Sequence, residues 1–170
     1  MHQLLLLRHA KSSWDDAKLA DRDRPLNKRG RRAAATMRRA IVDLGLAPDL
    51  VLVSPARRTL ETLAALEPWD DGTPLVEQTE GLYLATVPQL LAILREVSET
   101  VRSLMLIGHN PGMHELAMLL AGSSATERLT KGFPTAALAE FSVGVQWRQL
   151  DAGSGRLVRF LAPRDLEASA

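Results

Sequence analysis

The stretch Leu4-Leu5-Leu6-Leu7-Arg8-His9 places an apolar run directly before a guanidinium and an imidazole. Four leucines are too few for the core of a signal peptide or for a bilayer span, but they suit a short strand that is buried on both faces. Such a strand predicts a sheet with helices on both sides. Because ligand-binding loops gather at the C-terminal ends of these strands, we expect the chemistry at Arg8 and His9.

The composition is that of an ordinary globular domain, and we expect residues 1–170 to form a single one. A net charge of +1 and 46% hydrophobic residues argue against disorder and against a globally basic nucleic-acid binder. The absence of cysteine excludes disulfides, a thiol nucleophile and thiolate zinc sites. Since no signal or membrane segment is recognised either, we expect a cytoplasmic protein without a membrane partner.

Strand-like and helix-like segments alternate along the chain, which predicts an α/β fold with a mostly parallel central sheet in a three-layer sandwich. Asn27 caps a predicted helix over residues 28–44, and Thr86 with Gln89 has the spacing of a capping box. Residues 68–82 and 122–136 are predicted as loops that shape a substrate mouth. The remaining predicted strands are residues 50–53, 104–107, 137–143 and 157–161.

Two further junctions repeat the design seen after the first strand. Ser54-Pro55 follows the strand at 50–53, and Gly108-His109-Asn110-Pro111 follows the strand at 104–107. Ser54 and Asn110 are predicted N-caps, each with a proline as the first helical residue. Both helices would then direct unpaired backbone N–H groups at one edge of the sheet, which favours an anion there.

The side chains at these junctions fit an anionic ligand. Arg8 and Arg58 would supply planar donor forks that match phosphate oxygens. His9 and His109 would add a nucleophile and a further hydrogen-bond donor. Arg57 is easily confused with Arg58, but helical geometry directs Arg57 elsewhere.

Four stretches that span most of the chain, in this order, resemble the histidine phosphatase superfamily, and the first is similar to its phosphohistidine phosphatase branch. The resemblance implies a phosphoglycerate mutase-like fold and a single histidine phosphatase domain. It also implies that His9 takes the phosphoryl group, that Arg8 and Arg58 bind its oxygens, and that His109 is the second histidine of the pocket. The stretches are Leu7-Arg8-His9-Ala10-Lys11, Arg24-Pro25-Leu26-Asn27-Lys28-Arg29-Gly30, Ser54-Pro55-Ala56-Arg57-Arg58-Thr59-Leu60-Glu61-Thr62 and Ile107-Gly108-His109-Asn110-Pro111.

Physical chemistry supports these roles without any metal or other cofactor. A neutral imidazole is a good nucleophile near pH 7, and fixed arginines together with a protonated or N–H-donating His109 would stabilise charge on the phosphoryl oxygens. The second nitrogen of His9 needs an acceptor, and a backbone carbonyl of the following loop is a suitable one. Ala10 departs from the superfamily, in which glycine usually follows the histidine. The general acid lacks a motif, with Glu80 as the nearest candidate and Glu77 behind it.

Each of these residues also has an ordinary structural interpretation. Taken alone, His9 suits a satisfied loop histidine, His109 a helix N-terminus and Arg58 a solvated surface position. The interval 18–39 holds nine basic residues against two aspartates, which fits a solvated helix face or a nucleic-acid surface. Within it, Arg24 is expected near the pocket mouth, where it would bind or steer anionic substrates.

We therefore expect a metal-independent phosphatase that acts through phospho-His9 on a phosphohistidine-bearing protein. Two alternatives stay open, namely a small-molecule phosphomonoesterase of the same superfamily and a non-catalytic phosphate-recognition module. No nucleic acid is expected as a partner, and the oligomeric state is left open. A chain of this length favours hydrolysis over mutase chemistry, since relatives that act as mutases carry longer insertions.

Overall fold

The computed structural model describes residues 1–70 and 72–167, and in this part of the chain six strands form one sheet. The strands are β1 (His2–Arg8), β2 (Leu50–Val53), β3 (Leu75–Gln78), β4 (Ser103–Gly108), β5 (Leu138–Val143) and β6 (Gly155–Leu161). The helices are α1 (Lys28–Asp43), α2 (Arg57–Ala65), α3 (Val87–Arg95), α4 (Gly112–Ala121), α5 (Glu127–Lys131) and α6 (Pro163–Glu167). Short 3-10 turns cover Asp21–Asp23, Glu80–Leu82, Gly122–Ser124 and Trp147–Gln149.

The sheet is mixed, with the order β3-β2-β4-β1-β5-β6. Strands β1 to β4 run parallel to one another, whereas β5 is antiparallel to both β1 and β6. The prediction of a mostly parallel central sheet flanked by helices is therefore confirmed. Because the four parallel strands end at the same edge, the residues that follow β1, β2 and β4 meet there.

The leucine run of β1 is buried on both faces of the sheet, as its sequence predicts. Leu5 and Leu7 pack in the core that α1 and α2 cover, and Leu4 and Leu6 pack in the core beneath α3 and α4. All four side chains are 0% exposed. Helices on both faces thus give three layers, and no helix among the described residues is both long and apolar enough to cross a membrane.

The capping predictions for α1 and α3 are confirmed. The Asn27 side chain accepts a hydrogen bond from the Gly30 amide, and Thr86 and Gln89 form the reciprocal capping box. A Cβ on Gly30 would lie 2.1 Å from the carbonyl oxygen of Lys11, so glycine lets the start of α1 pack against the loop after β1.

The helix starts predicted directly after Ser54 and Asn110 are too early, since α2 begins at Arg57 and α4 at Gly112. Helix α2 follows Ala56 as its N-cap. The Ser54 hydroxyl makes a short hydrogen bond of 2.7 Å to His109 and a longer one of 3.4 Å from the Ala56 amide, which lies before the helix. Helix α4 follows Pro111. The Asn110 side chain accepts from the amide of His114 in the first turn of α4 and donates to the carbonyl of Phe133, so it ties that turn to the loop at Phe133.

The two segments predicted as loops contain regular structure. Residues 68–82 hold β3 and a 3-10 turn, and residues 122–136 hold a 3-10 turn and α5. Strand β3 lies at the edge of the described sheet, where it pairs with β2, and all four of its side chains are exposed, so it shows no apolar alternation. Helix α5 has five residues, too few for a helical period to be recognised.

Candidate active site

The register of the sheet brings the two predicted histidines together. Arg8 in β1 pairs with Gly108 in β4, so His9 and His109 each lie one residue beyond the same pair. Their ring centroids are 5.4 Å apart and the ring planes are tilted by 54°. Ser54 follows β2, the strand on the other side of β4, and completes the same edge.

The hydrogen bond of His9 fixes its tautomer. Its Nδ1 lies 2.7 Å from the carbonyl oxygen of Ala10, which can only accept, so Nδ1 carries the proton and Nε2 keeps a free lone pair. The prediction of a carbonyl from the following loop is confirmed. Burial lowers the pKa of His9 to about 4, and the positive charges of Arg58 and Arg8 act in the same direction. His9 is therefore a neutral imidazole near pH 7.

His109 is held by two hydrogen bonds in the opposite tautomer. Its Nδ1 lies 3.3 Å from Nη2 of Arg58, which can only donate, and its Nε2 lies 2.7 Å from the Ser54 hydroxyl. Burial and the adjacent Arg58 lower the pKa of His109 to about 3. Its single N–H thus points at Ser54, and only a second proton on Nδ1 would let this ring donate to a ligand beside Arg58.

Arg58 is buried at the centre of the site, with 3% of its surface exposed. Its Nη1 donates to the backbone oxygen of Asp21 at 2.7 Å, and its Nη2 donates to the Asp21 carboxylate at 3.0 Å. Arg57, in contrast, is exposed and pairs with Glu61. The structure thus places Arg58, and not Arg57, beside the histidines.

Arg8 and Arg24 contribute positive charge from two sides. Arg8 donates to the carbonyl of Phe133 at 2.9 Å, and burial, followed by the charge of Arg58, lowers its pKa. Arg24 is 8% exposed, lies against the ring of Trp14 at 3.5 Å and donates to the Asp21 carboxylate at 3.0 Å. Within residues 1–70 and 72–167, Nε of Arg8, Nε of Arg58 and both Nε and Nη1 of Arg24 are buried without a hydrogen-bond partner. Unused buried donors of this kind suit an anion.

Asp21 is a site residue that the sequence analysis missed. Its carboxylate accepts from Arg24, Arg58 and the hydroxyl of Tyr83. Burial alone would raise the pKa of Asp21, but the hydrogen bonds from Tyr83 and Arg58 outweigh it and lower the pKa to about 2. The sequence offers one signal, since Asp21 lies three residues before Arg24 and such pairs meet in a helical turn.

Tyr83 and Thr62 were also missed. The Tyr83 ring meets His109 edge-on, with 5.4 Å between the centroids. The Thr62 hydroxyl accepts from the Ala10 amide at 2.9 Å and donates to the Arg58 carbonyl at 2.7 Å. Nothing in a single sequence pairs these positions, although Thr62 belongs to the same conspicuous stretch as Arg58.

The structure argues against Glu80 and Glu77 as proton donors. Both terminal nitrogens of Arg22 bind the Glu80 carboxylate, at 2.5 and 3.1 Å, and this hydrogen bonding lowers its pKa. Glu80 is therefore ionised near pH 7 and turned towards solvent. Glu77 lies exposed on the edge strand β3. The contacts of Glu80 and Glu77 give the predicted general-acid role no support, because position along the chain does not determine which cation a carboxylate meets.

The site as a whole combines a neutral imidazole with fixed positive charge. Across the described part of the chain, no three His, Asp or Glu side chains cluster so as to hold a metal ion. Arg8, Arg24 and Arg58 surround the histidines, and the lone pair on Nε2 of His9 is available for attack. Such an arrangement binds an oxyanion and can transfer its central atom to an imidazole.

Comparison with known proteins agrees with this geometry. Residues 4–82 match the family model described as histidine phosphatase superfamily, branch 1. An uncharacterised chloroplastic protein of Arabidopsis thaliana is 36% identical over 162 residues, which cover 90% of this chain and 72% of that protein.

Two solved structures share the fold across nearly the whole chain. A protein of Agrobacterium tumefaciens, described as a candidate phosphohistidine phosphatase SixA, is 31% identical, with a TM-score of 0.82 and coverage of 95% of this chain and 98% of that one. The protein histidine phosphatase SixA in complex with tungstate has a TM-score of 0.80 and 24% identity over 96% of this chain and 99% of that one, and at that identity it supports the fold alone.

Proposed function

The chain belongs to the histidine phosphatase superfamily, and we propose that it is a metal-independent phosphatase that acts on phosphohistidine in proteins through a phosphorylated His9. One observation carries the proposal. The Nδ1 proton of His9 is held by the Ala10 carbonyl, so the lone pair on Nε2 is free beside Arg58 and His109. A neutral imidazole fixed in this tautomer is ready to attack without prior loss of a proton.

In the first step, Nε2 of His9 forms a bond to phosphorus while the bond from phosphorus to the leaving nitrogen breaks. The leaving imidazole keeps the electron pair and takes a proton from solvent. Arg8, Arg24 and Arg58 bind the phosphoryl oxygens and stabilise their charge during the transfer. In the second step, water attacks the phosphorus of phospho-His9, the P–N bond breaks, and inorganic phosphate and neutral His9 are released.

The carboxylates near the site favour a nitrogen leaving group over an alkoxide. Asp21 has a pKa of about 2, and Arg22 lowers the pKa of Glu80, so both are ionised near pH 7. An ionised carboxylate cannot protonate a departing alkoxide. A phosphorylated imidazole can take a proton from solvent on its distal nitrogen and then leaves as neutral imidazole without such help, which supports phosphohistidine as the substrate over a small phosphomonoester.

The first test measures release of inorganic phosphate from a phosphohistidine peptide in the presence of a metal chelator. We expect wild-type activity to persist, and His9→Ala to lose at least a thousandfold in kcat/KM. His114→Ala is the matched control, because His114 is a histidine outside the site that contacts the Leu129 carbonyl. Undiminished turnover by His9→Ala, or loss of wild-type turnover by chelation alone, would refute the proposal.

A second test separates an enzyme from a phosphate receptor and identifies the preferred substrate. Labelled phosphohistidine peptide is mixed with the enzyme and quenched in alkaline denaturant, in which a histidine phosphoramidate survives. We expect label on His9, and a kcat/KM for the peptide well above that for p-nitrophenyl phosphate. Saturable binding without label would indicate a recognition module, and preference for the ester would indicate a small-molecule phosphomonoesterase.

Two broader assignments are part of the same proposal. The residue roles rest on one set of contacts at one sheet edge, which supports a single catalytic domain over residues 1–170. A cytoplasmic location is supported by the absence of cysteine from the sequence. Fractionation of the native host would test this location.

A further inference from the structure

A second cluster of positive charge lies beside the nucleophile loop and is not used by the mechanism above. Lys11, Arg29, Arg32 and Arg164 line a cleft of about 650 Å³, which also includes Thr135 and a single acidic residue, Glu167. We call this the basic cleft. Its four cations come from the loop after β1, from α1 and from α6.

The four cations of the basic cleft are not engaged in ion pairs with the described residues. All four side chains are exposed, and none has a hydrogen bond or ion pair with another residue in the described ranges. Arg29 is also unfavourable where it stands, because it lies in the first turn of α1, which contains no acidic residue, and the helix dipole disfavours cations there. Side chains that cost helix stability and meet no internal partner suit a ligand with negative charge.

The basic cleft adjoins the catalytic loop directly. Lys11 is two residues after His9, and Thr135 precedes Ala136, whose amide donates to the His9 carbonyl at 3.0 Å. Strand β5 starts and β6 ends at the edge of the sheet where β1 ends, which brings α6 and Arg164 to this side. A polypeptide that presents a phosphorylated side chain to His9 therefore has neighbouring residues within reach of the cleft.

We propose that the basic cleft docks the acidic surface of the phosphorylated protein, with carboxylates that flank the phosphohistidine paired to Arg29, Arg32, Lys11 and Arg164. The inference rests on the proposed function and adds the chemistry of the partner. Four separate cations spread over three elements match several carboxylates better than one compact phosphate. Aromatic side chains, on which the bases of single-stranded nucleic acid stack, do not line the cleft, so an acidic protein fits it better than RNA.

The test uses two phosphohistidine peptides that differ only in their flanks, three glutamates or three glutamines on each side. We expect wild-type kcat/KM to be at least tenfold higher for the glutamate peptide and this preference to shrink as salt is raised. Arg29→Glu/Arg32→Glu is expected to abolish the preference. Arg39→Glu/Arg148→Glu, with the same change in charge at exposed sites outside the cleft, is expected to keep it.

Each outcome distinguishes this inference from the proposed function. If the wild type hydrolyses both peptides equally, or if Arg29→Glu/Arg32→Glu keeps the preference, the docking role is refuted while the phosphatase stands. If the wild type hydrolyses neither peptide, the proposed function fails and the docking role fails with it. Turnover of p-nitrophenyl phosphate within twofold of wild type shows that both variants are folded, and Arg29→Gln/Arg32→Gln replaces the first variant if it is not.

A competition experiment with the glutamate peptide tests whether the basic cleft binds nucleic acid instead. The glutamate peptide competes with a fluorescein-labelled RNA oligonucleotide for the wild-type protein at fixed salt. We expect the RNA to bind more weakly than the peptide. Tighter binding of RNA that depends on Arg29 and Arg32 would overturn the inference.

Discussion

The hydroxyl oxygen of Thr62 accepts a hydrogen bond from the backbone amide of Ala10 at 2.9 Å, across 52 positions of sequence. Ala10 is also the residue whose carbonyl orients His9. The same Thr62 hydroxyl donates to the carbonyl of Arg58. One buried hydroxyl thus connects the residue whose carbonyl holds the His9 ring to the helix that carries Arg58.

Replacement of Thr62 by valine tests this connection. Valine has the same shape but leaves the buried Ala10 amide without a partner, which costs about 1–3 kcal/mol in the free energy of unfolding. We expect kcat to fall at least tenfold as well, because the Ala10 carbonyl loses its fixed position. Thr59→Val is the control, since the Thr59 hydroxyl bonds only to the carbonyls of Ser54 and Ala56. Equal kcat values for the two variants would contradict a role of the Thr62 hydroxyl in positioning the Ala10 carbonyl.

Gly30 offers a second test of the loop after β1. A methyl group there would meet the Lys11 carbonyl at 2.1 Å, whereas one on Gly144 would meet nothing within 4 Å. We expect Gly30→Ala to lower the free energy of unfolding by about 2 kcal/mol or more and Gly144→Ala to change it by less than about 0.5 kcal/mol. Denaturant titration measures both. A tolerated Gly30→Ala variant would show that this contact is readily relieved.

Asp21 occupies donors that an oxyanion would need. Its carboxylate is bound to Arg24 and Arg58, so a phosphate ion must share these groups with a negative charge. We expect Asp21→Asn to tighten the binding of inorganic phosphate about three- to tenfold, as measured by calorimetry. Asp23→Asn, with the same charge change two residues away, is expected to have little effect. Weaker binding in Asp21→Asn would mean that the carboxylate chiefly positions Arg58.

The lowered pKa values of His9 and His109 predict a pH dependence of stability. The folded pKa values of about 4 and 3 lie below the unfolded value of 6.5, so the unfolded state binds more protons as the pH falls through 6.5. The free energy of unfolding should therefore fall between pH 6.5 and pH 5, by about 1.4 kcal/mol per pH unit at most for each histidine. His109→Asn should show about half of the slope. A flat profile in this window would mean that neither ring is buried in its neutral form.

Much of the fold follows from local signals in the sequence, and the partners of individual side chains do not. Leu4 to Leu7 predicts a strand covered on both faces, and Asn27 predicts the start of α1, because burial pattern and capping act within a few residues. The helix start predicted at Ser54 is too early, and the Ser54 hydroxyl hydrogen bonds to His109, 55 positions away. The pairing of the Glu80 carboxylate with Arg22, 58 positions away, was equally beyond the reach of local signals. Partnerships of this kind are decided by tertiary packing.

The pairing of Arg8 with Gly108, which sets His9 beside His109, also separates two kinds of evolutionary change. Their spacing is set by the hydrogen-bonded ladder between β1 and β4, where every residue from Gln3 to Arg8 is in register. The surrounding loops can therefore lengthen, shorten or change composition without altering the distance between the two imidazoles. In such an architecture, changes at the periphery alter what the site can admit while the two imidazoles stay where the sheet has put them.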